Sequence, residues 1–371
     1  MEYRKFNQIK RLVVKIGSSS LTYATGKLNI EQMEKLVRQM VDLHNRGIKV
    51  LLVTSGAVGA GAGKIGLTKK PRTIPEKQAA AAVGQGMLLH MYEKFFAEYG
   101  VVVGQVLLTR EDFSDRRRFL NARNTLQALL EFNIIPVVNE NDTVAVDEIK
   151  LGDNDHLAAM VAGLVDAELL ILLSDVGGLY DGDPRQPGAD LLSEIYELNE
   201  EIESLAGGAG SKVGTGGMVT KIQAARIAMH SGLVTVIARA SENDIIRRVS
   251  AGEPLGTAFW PSAKLVQKKK WIAYGSTVCG RLCVDDGAVR ALQRGGKSLL
   301  PSGVTAVEGK FDVGNTVSVV NHDGREIARG IVNYCAADVE KIKGCKTGEI
   351  VGILGHKDYD EIIHCDNLAL E

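Results

Sequence analysis

No cysteine occurs in the first three quarters of the chain: Cys279, Cys283, Cys335, Cys345 and Cys365 all lie beyond it. They form no close pair of Cys-x-x-Cys elements, which argues against a structural zinc site and for reduced thiols in a small core. Neither sign of charge is in excess. Lys and Arg number 44 against 45 Asp and Glu, a formal net charge of -1, so no global field draws the protein to nucleic acid or acidic membrane. Divided at Pro261, the chain carries 29 basic and 31 acidic residues before that point, and 15 and 14 after it. Neither part is a polycation. No apolar run reaches the roughly 18 residues needed to cross a bilayer, and the polar start from Met1 to Lys10 has no signal-peptide core. A cytoplasmic location is expected.

What is present is an alternation. At 371 residues, 45% hydrophobic and 24% charged, the chain is long enough for two domains, one with a central sheet. Apolar runs predict strands over 11–16, 48–53, 101–107, 134–138, 168–173 and 233–238. Between them, helical spacing predicts helices over 31–45, 76–99, 119–132, 156–164, 199–206, 218–231 and 242–250. A short hairpin arm is expected over 144–149. Strands alternating with helices imply an α/β fold with a mostly parallel open sheet covered by helices on both faces. From Ser262 the pattern changes to short β runs divided by glycines, over 298–300, 303–308, 317–321 and 326–333. The expected organisation is a catalytic domain over 1–261, a linker over 262–277 around Lys268-Lys269-Lys270-Trp271, and a small β-rich domain with its tail over 278–371.

One stretch organises the chemistry: Gly214-Thr215-Gly216-Gly217-Met218-Val219-Thr220-Lys221. Glycines before a helix leave backbone N–H groups uncovered, and the helix dipole adds positive potential there, which suits an anion. Lys221, one turn in, can fold back over the same point; the alternative is a flexible loop with a solvated lysine. Lys15 sits inside an otherwise apolar strand, either snorkelling into water or meeting an anion beside Gly17-Ser18-Ser19. Ser55 ends the second strand before a Gly/Ala-rich loop that either packs tightly or lets backbone approach a small substrate. Asn139-Glu140-Asn141-Asp142 follows the fourth strand, as a solvated turn or a substrate rim, because ligands in open α/β sheets collect beyond the carboxyl ends of strands. Gly152-Asp153-Asn154-Asp155 has more Asx residues than one helix cap requires. Ser174-Asp175 ends the fifth strand.

Two strings mislead. Gly61-x-Gly63-x-x-Gly66 satisfies the dinucleotide fingerprint but lies several residues past the strand, so NAD is rejected. Gly296-Lys297-Ser298 lacks the earlier glycine of a P-loop, since Ala291 stands there.

Six ordered motifs together resemble the amino-acid kinase family: Val14 to Ser19, Thr54 to Ala57, Asn139 to Asp142, Gly152 to Asp155, Ser174-Asp175-x-x-Gly-Leu-Tyr, and Gly214 to Lys221. Ser174 stands where many relatives carry Thr and keeps the hydroxyl. The second domain resembles a PUA domain, most clearly at Leu300-Pro301-Ser302-Gly303-Val304. That combination implies the family members that use ATP with Mg²⁺ to phosphorylate the γ-carboxylate of L-glutamate, giving L-glutamyl 5-phosphate at the start of proline biosynthesis. It further implies L-proline as feedback inhibitor, glutamyl-phosphate reductase as a partner, and a homo-oligomer. By the same resemblance, Lys15 and Lys221 contact the transferring phosphate, and Asp155 holds both lysines. Ser55, Asp142 and Asn154 bind glutamate. The ATP site is lined by Lys15, Ser174, Asp175, Thr215, Gly216, Gly217, Met218, Val219, Thr220 and Lys221. No residue is assigned as a metal ligand.

The chemistry agrees with that expectation. A carboxylate nucleophile with a reference pKa near ~4.3 is already ionised at neutral pH, so no general base is required. No Ser–His or His–Asp pair stands in the motifs. Two other readings compete: a kinase for another carboxylate such as N-acetylglutamate, and an RNA-binding protein acting through the PUA domain. The balanced charge of the C-terminal part argues against the second.

Overall fold

The computed structural model describes the chain apart from residues 1–2, 7, 24–26, 68, 70, 145–153, 185, 187, 207–215, 262–277, 294–296 and 371. The expected hairpin arm and linker therefore fall almost wholly outside the described residues, as do Thr215, Gly152 and Asp153. The chain divides into two compact units, Met1–Ala263 and Lys264–Glu371.

The first unit is built on an eight-stranded sheet. Its strands are β1 (Arg11–Ile16), β2 (Lys49–Val53), β3 (Val103–Leu108), β4 (Ile135–Glu140), β5 (Leu169–Ser174), β6 (Glu194–Ile195), β7 (Val234–Arg239) and β8 (Thr257–Phe259). They lie in the order β3-β4-β2-β1-β5-β7-β8-β6. The first six in that order are parallel, while β8 pairs antiparallel with β7. The helices are α1 (Ser18–Leu21), α2 (Ile30–Asn45), α3 (Ala57–Ile65), α4 (Ile74–Ala97), α5 (Glu111–Ser114), α6 (Arg116–Glu131), α7 (Asn154–Leu164), α8 (Glu200–Ala206), α9 (Gly216–His230) and α10 (Ile245–Ser250). Among the described residues, no helix is long and apolar enough to cross a membrane.

The sheet is covered on both faces, and alternation along each strand sorts its side chains between two cores. Leu12, Val14 and Ile16 pack with Met33, Leu36 and Met40 of α2 and with Tyr92 and Phe96 of α4. Val13 instead joins Leu157 and Val161 of α7 and Ile222 and Ala225 of α9. Burying each such aliphatic side chain contributes roughly 1.5–3 kcal/mol. By the same alternation Lys15 shares the face of Val13, so an ionic side chain is directed toward α7 and α9.

Local signals set the helix ends. The Asn29 side chain caps α2 by accepting from the Gln32 N–H at 3.1 Å. A capping box opens α4, with Thr73 Oγ1 accepting from Glu76 N–H and Glu76 Oε2 accepting from Thr73 N–H. Pro75 lies within its first turn, where a missing N–H costs nothing, so the helix starts two residues before the expected 76.

Two expectations are corrected. The Gly/Ala-rich segment after β2 is not a loop: from Ala57 it is helix α3, and its Gly61 serves helix packing. Asn139 and Glu140 are not part of a turn but the last two residues of β4, both buried. Only Asn141 and Asp142 leave the strand.

The second unit has a mixed five-stranded sheet. Its order is β10-β9-β11-β12-β13, with β9 Val278–Val284, β10 Val304–Gly309, β11 Thr316–Val320, β12 Glu326–Ile331 and β13 Leu368–Leu370. Leu282, Val284, Val304, Val317, Val319 and Tyr334 form its core. Helices at Asp286–Gln293, Ala336–Ile342 and Ile350–Leu354 join these strands. β10, β11 and β12 match the runs expected over 303–308, 317–321 and 326–333, whereas 298–300 makes only an isolated bridge from Leu299 to Ile363, and β9 and β13 lie outside the expected runs.

Candidate functional site

Parallel pairing in register brings the strand ends together. Lys15 lies opposite Val53 of β2 on one side and Leu172 of β5 on the other, and Val53 lies opposite Val138 of β4. The residues that follow therefore emerge along one edge: Gly17 after β1, Thr54 and Ser55 after β2, Asn139 and Glu140 ending β4, and Ser174 ending β5.

At that edge Asp155, in the first turn of α7, is completely buried. Its Oδ1 lies 2.5 Å from Lys15 Nζ and its Oδ2 3.0 Å from Lys221 Nζ. Both lysines are buried as well. Thr220 Oγ1 also lies within hydrogen-bond distance of Asp155 Oδ2, at 3.1 Å, and Lys221 Nζ donates to the Gly217 carbonyl at 3.2 Å. Burial pushes the Asp155 carboxyl up, but Lys15 and Lys221 outweigh it and hold the group below the usual aspartate range. Two ammonium groups on one carboxylate leave these three side chains with net positive charge away from water. An anion completes such a set.

Beside this ionic cluster lies a neutral one. Asn154 Nδ2 faces three acceptors: the Thr54 carbonyl at 2.8 Å, Ser55 Oγ at 2.8 Å and Asn139 Oδ1 at 2.9 Å. The Thr54 hydroxyl in turn meets Tyr92 Oη at 3.0 Å. Burial raises the Tyr92 phenol well above its ordinary value, so it stays protonated. Gly56, in the left-handed region at φ +98°, turns the chain sharply from Ser55 into α3.

The structure thus brings together Lys15, Lys221, Asp155 and Thr220, and separately Ser55 with Asn154. Asp142 stands in the turn two residues past β4 and is half-buried. Ser174 is buried and its hydroxyl donates to Asp175 Oδ1 at 3.1 Å. Gly216, Gly217, Met218 and Val219 form the first turn of α9, where backbone N–H groups are free of intrahelical partners. Sequence reasoning missed Gln85 and Tyr92 of α4, both buried and both bonded to the strand ends. The available signal was two polar-bearing residues seven apart, hence on one helix face, in an Ala-rich helix.

Residues 10–239 match the model of the amino acid kinase family, and residues 280–354 match that of the PUA domain. The chain belongs to the amino acid kinase family. It is 57% identical over 362 residues to the glutamate 5-kinase of Caldanaerobacter subterraneus subsp. tengcongensis, covering 97% of each chain. It is 58% identical over 366 residues to the glutamate 5-kinase of Moorella thermoacetica, covering 98% of this chain and 97% of the other. Among solved structures, the carbamate kinase of Giardia lamblia bound to AMP-PNP has a TM-score of 0.50 at 16% identity, covering 68% of this chain and 99% of that one. That likeness speaks to the fold alone.

Proposed function

We propose that the protein transfers the γ-phosphoryl group of ATP to the γ-carboxylate of L-glutamate, giving L-glutamyl 5-phosphate and ADP, the first step of proline biosynthesis. The observation that carries this reading is similarity at 57% and 58% identity, over nearly the whole chain, to proteins named glutamate 5-kinase. The buried cluster of Lys15, Asp155 and Lys221 supplies chemistry that suits it.

The difficulty in this reaction is electrostatic. An ionised carboxylate must approach an anionic phosphate, and no proton has to be removed first. Lys15 and Lys221 offset the charge on the transferring phosphoryl group, and Asp155 holds both ammonium groups in place, so little reorganisation is needed as the reaction proceeds. Ser55, Asp142 and Asn154 bind glutamate, with Asp142 suited to its α-ammonium. Ser174, Asp175 and the segment from Thr215 to Lys221 line the ATP site. The donor set of two ammonium groups, hydroxyls and free N–H groups fits phosphate oxygens. Mg²⁺ travels with the ATP and, when bound, neutralises charge on its oxygens.

The product is a labile acyl phosphate, so a glutamyl-phosphate reductase that consumes it, L-proline as feedback inhibitor, a homo-oligomeric state and a cytoplasmic location belong to the same reading. RNA does not, given the balanced charge of the second unit. Trapping the product with hydroxylamine tests the assignment: hydroxamate should form with L-glutamate and ATP, and not with N-acetylglutamate. Product from N-acetylglutamate alone would move the protein to another carboxylate substrate.

A further inference from the structure

We infer that Gln85 of α4 is a positioning residue that, together with the Glu140 N–H, holds the direction of a buried hydrogen-bond chain ending at the hydroxyl of Ser55. Gln85 is buried, as is Asn139. Its Nε2 donates to the Glu140 carbonyl at 3.0 Å, and its Oε1 accepts from Asn139 Nδ2 at 3.0 Å. Asn139 Oδ1 accepts from the Glu140 N–H at 2.9 Å and from Asn154 Nδ2 at 2.9 Å. Asn154 Nδ2 also faces the Thr54 carbonyl and Ser55 Oγ, each at 2.8 Å.

Each amide in this chain is tied to a backbone group whose role cannot reverse. A carbonyl oxygen only accepts and a peptide N–H only donates. The Glu140 carbonyl obliges Gln85 to present its NH₂ there, which leaves the Gln85 oxygen facing Asn139. Asn139 then turns its NH₂ to Gln85 and its oxygen to Asn154, an orientation the Glu140 N–H enforces independently. Asn154 is left with its NH₂ toward Ser55 and the Thr54 carbonyl. Two amide hydrogens serve three acceptors, and one of those is Ser55 Oγ. When the serine oxygen accepts, its own hydrogen is free to point elsewhere, and Ser55 becomes a donor. A donor is what an anionic carboxylate substrate requires.

Reversing any one amide would set two hydrogens or two lone pairs against each other in a buried place. The direction is therefore cooperative, and Gln85 is the member on a different element from the strand ends and α7. Tyr92, seven residues on along the same face of α4, meets Thr54 from the same side. The tight contact of α4 with α3 fixes the height of both: a Cβ on Gly84 would lie 1.8 Å from the Ala57 carbonyl oxygen.

The assignment rests on the glutamate kinase reading only for the substrate whose KM is measured. Gln85→Glu is nearly isosteric but replaces the donor facing the Glu140 carbonyl with an acceptor, and Gln85→Met keeps length without polarity. In the full-length protein both should raise the KM for L-glutamate by about tenfold or more, with the KM for ATP and kcat changed less than about twofold. Val83→Ala, on the exposed side of the same helix, should change neither KM. If Gln85→Met fails to fold, Gln85→Glu decides alone, since its volume is unchanged. A glutamate KM within twofold of the unsubstituted value, or a parallel rise in both KM values, overturns the positioning role. Failure of the unsubstituted protein to phosphorylate glutamate overturns the functional reading instead, and with it the claim that Ser55 serves this substrate.

Discussion

Gly61 of α3 and Gly84 of α4 meet backbone to backbone. A Cβ on Gly61 would lie 1.8 Å from the Ala80 carbonyl oxygen, and a Cβ on Gly84 would lie 1.8 Å from that of Ala57. The two helices cross where neither has a side chain, and the crossing holds the start of α3, next to Ser55, against the helix that carries Gln85 and Tyr92. Elsewhere a glycine inside a helix weakens it by about 1 kcal/mol relative to alanine. Here the missing side chain is what allows the approach.

Gly84→Ala should therefore destabilise the first unit despite the better helix propensity of alanine. The obstacle is a carbonyl oxygen of another helix, not a flexible side chain, so a loss of about 3 kcal/mol is expected, at the upper end for overpacking. Urea unfolding checks it. An unchanged midpoint would show that the helices separate without cost.

Lys221→Ala should abolish turnover while sparing the fold. The substitution leaves Asp155 paired with Lys15 at 2.5 Å, so no buried carboxylate is stranded. A fall in kcat of about 10³-fold is expected from losing a preorganised cation at the transferring group. Steady-state kinetics with a circular-dichroism melt separates the two effects. A well-folded, active Lys221→Ala protein would remove the role proposed for this lysine.

Asp155→Asn removes the carboxylate that Lys15 and Lys221 share and should reduce turnover by at least about 10²-fold through displacement of the two ammonium groups. Its effect on acid stability has a definite sign. The Asp155 carboxyl lies below its ordinary value in the folded protein. Its contribution is thus fully present above the unfolded value near ~4 and is lost as pH falls through the lower folded value. Thermal melts taken from neutral pH downward should show a steeper acid loss for the unsubstituted protein than for Asp155→Asn. Parallel curves would mean that the carboxylate carries no such linkage.

Arg4 tests whether the first unit depends on its N-terminal segment. Its guanidinium is buried and donates to the carbonyls of Leu255 at 2.7 Å, Ser193 at 2.8 Å and Gly256 at 2.8 Å, with Glu194 at 3.7 Å. Arg4→Ala removes the guanidinium donor from these carbonyls, of which that of Ser193 keeps the Ala258 N–H at 2.8 Å, and should cost about 2 kcal/mol. KM and kcat at low temperature should stay unchanged, because these contacts are made to β6 and the approach to β8, away from the lysine cluster. A shift in either KM would tie this segment to the site.

The amino-acid sequence by itself determined the alternation of strands and helices, the change of pattern beyond Pro261, and the residue types of the reaction. Those are local properties: apolar periodicity, Gly-rich turns and two lysines in unusual settings can be seen within a few residues. Strand 11–16 was legible to the residue because a run buried on both faces has sharp ends. The segment 57–65 was misread because glycine and alanine speak for a loop unless another helix lies against them. The family resemblance already named Asp155 as the acid both lysines share, but only the tertiary structure decided why the three meet, through the adjacency of β1 and β5 and the placing of α7 and α9. It alone joined Gln85 to Asn139, 54 residues away, and Asn154 to Ser55, 99 residues away. A hydrogen bond depends on ångströms and on which group faces which, and strand order, not spacing along the chain, sets both.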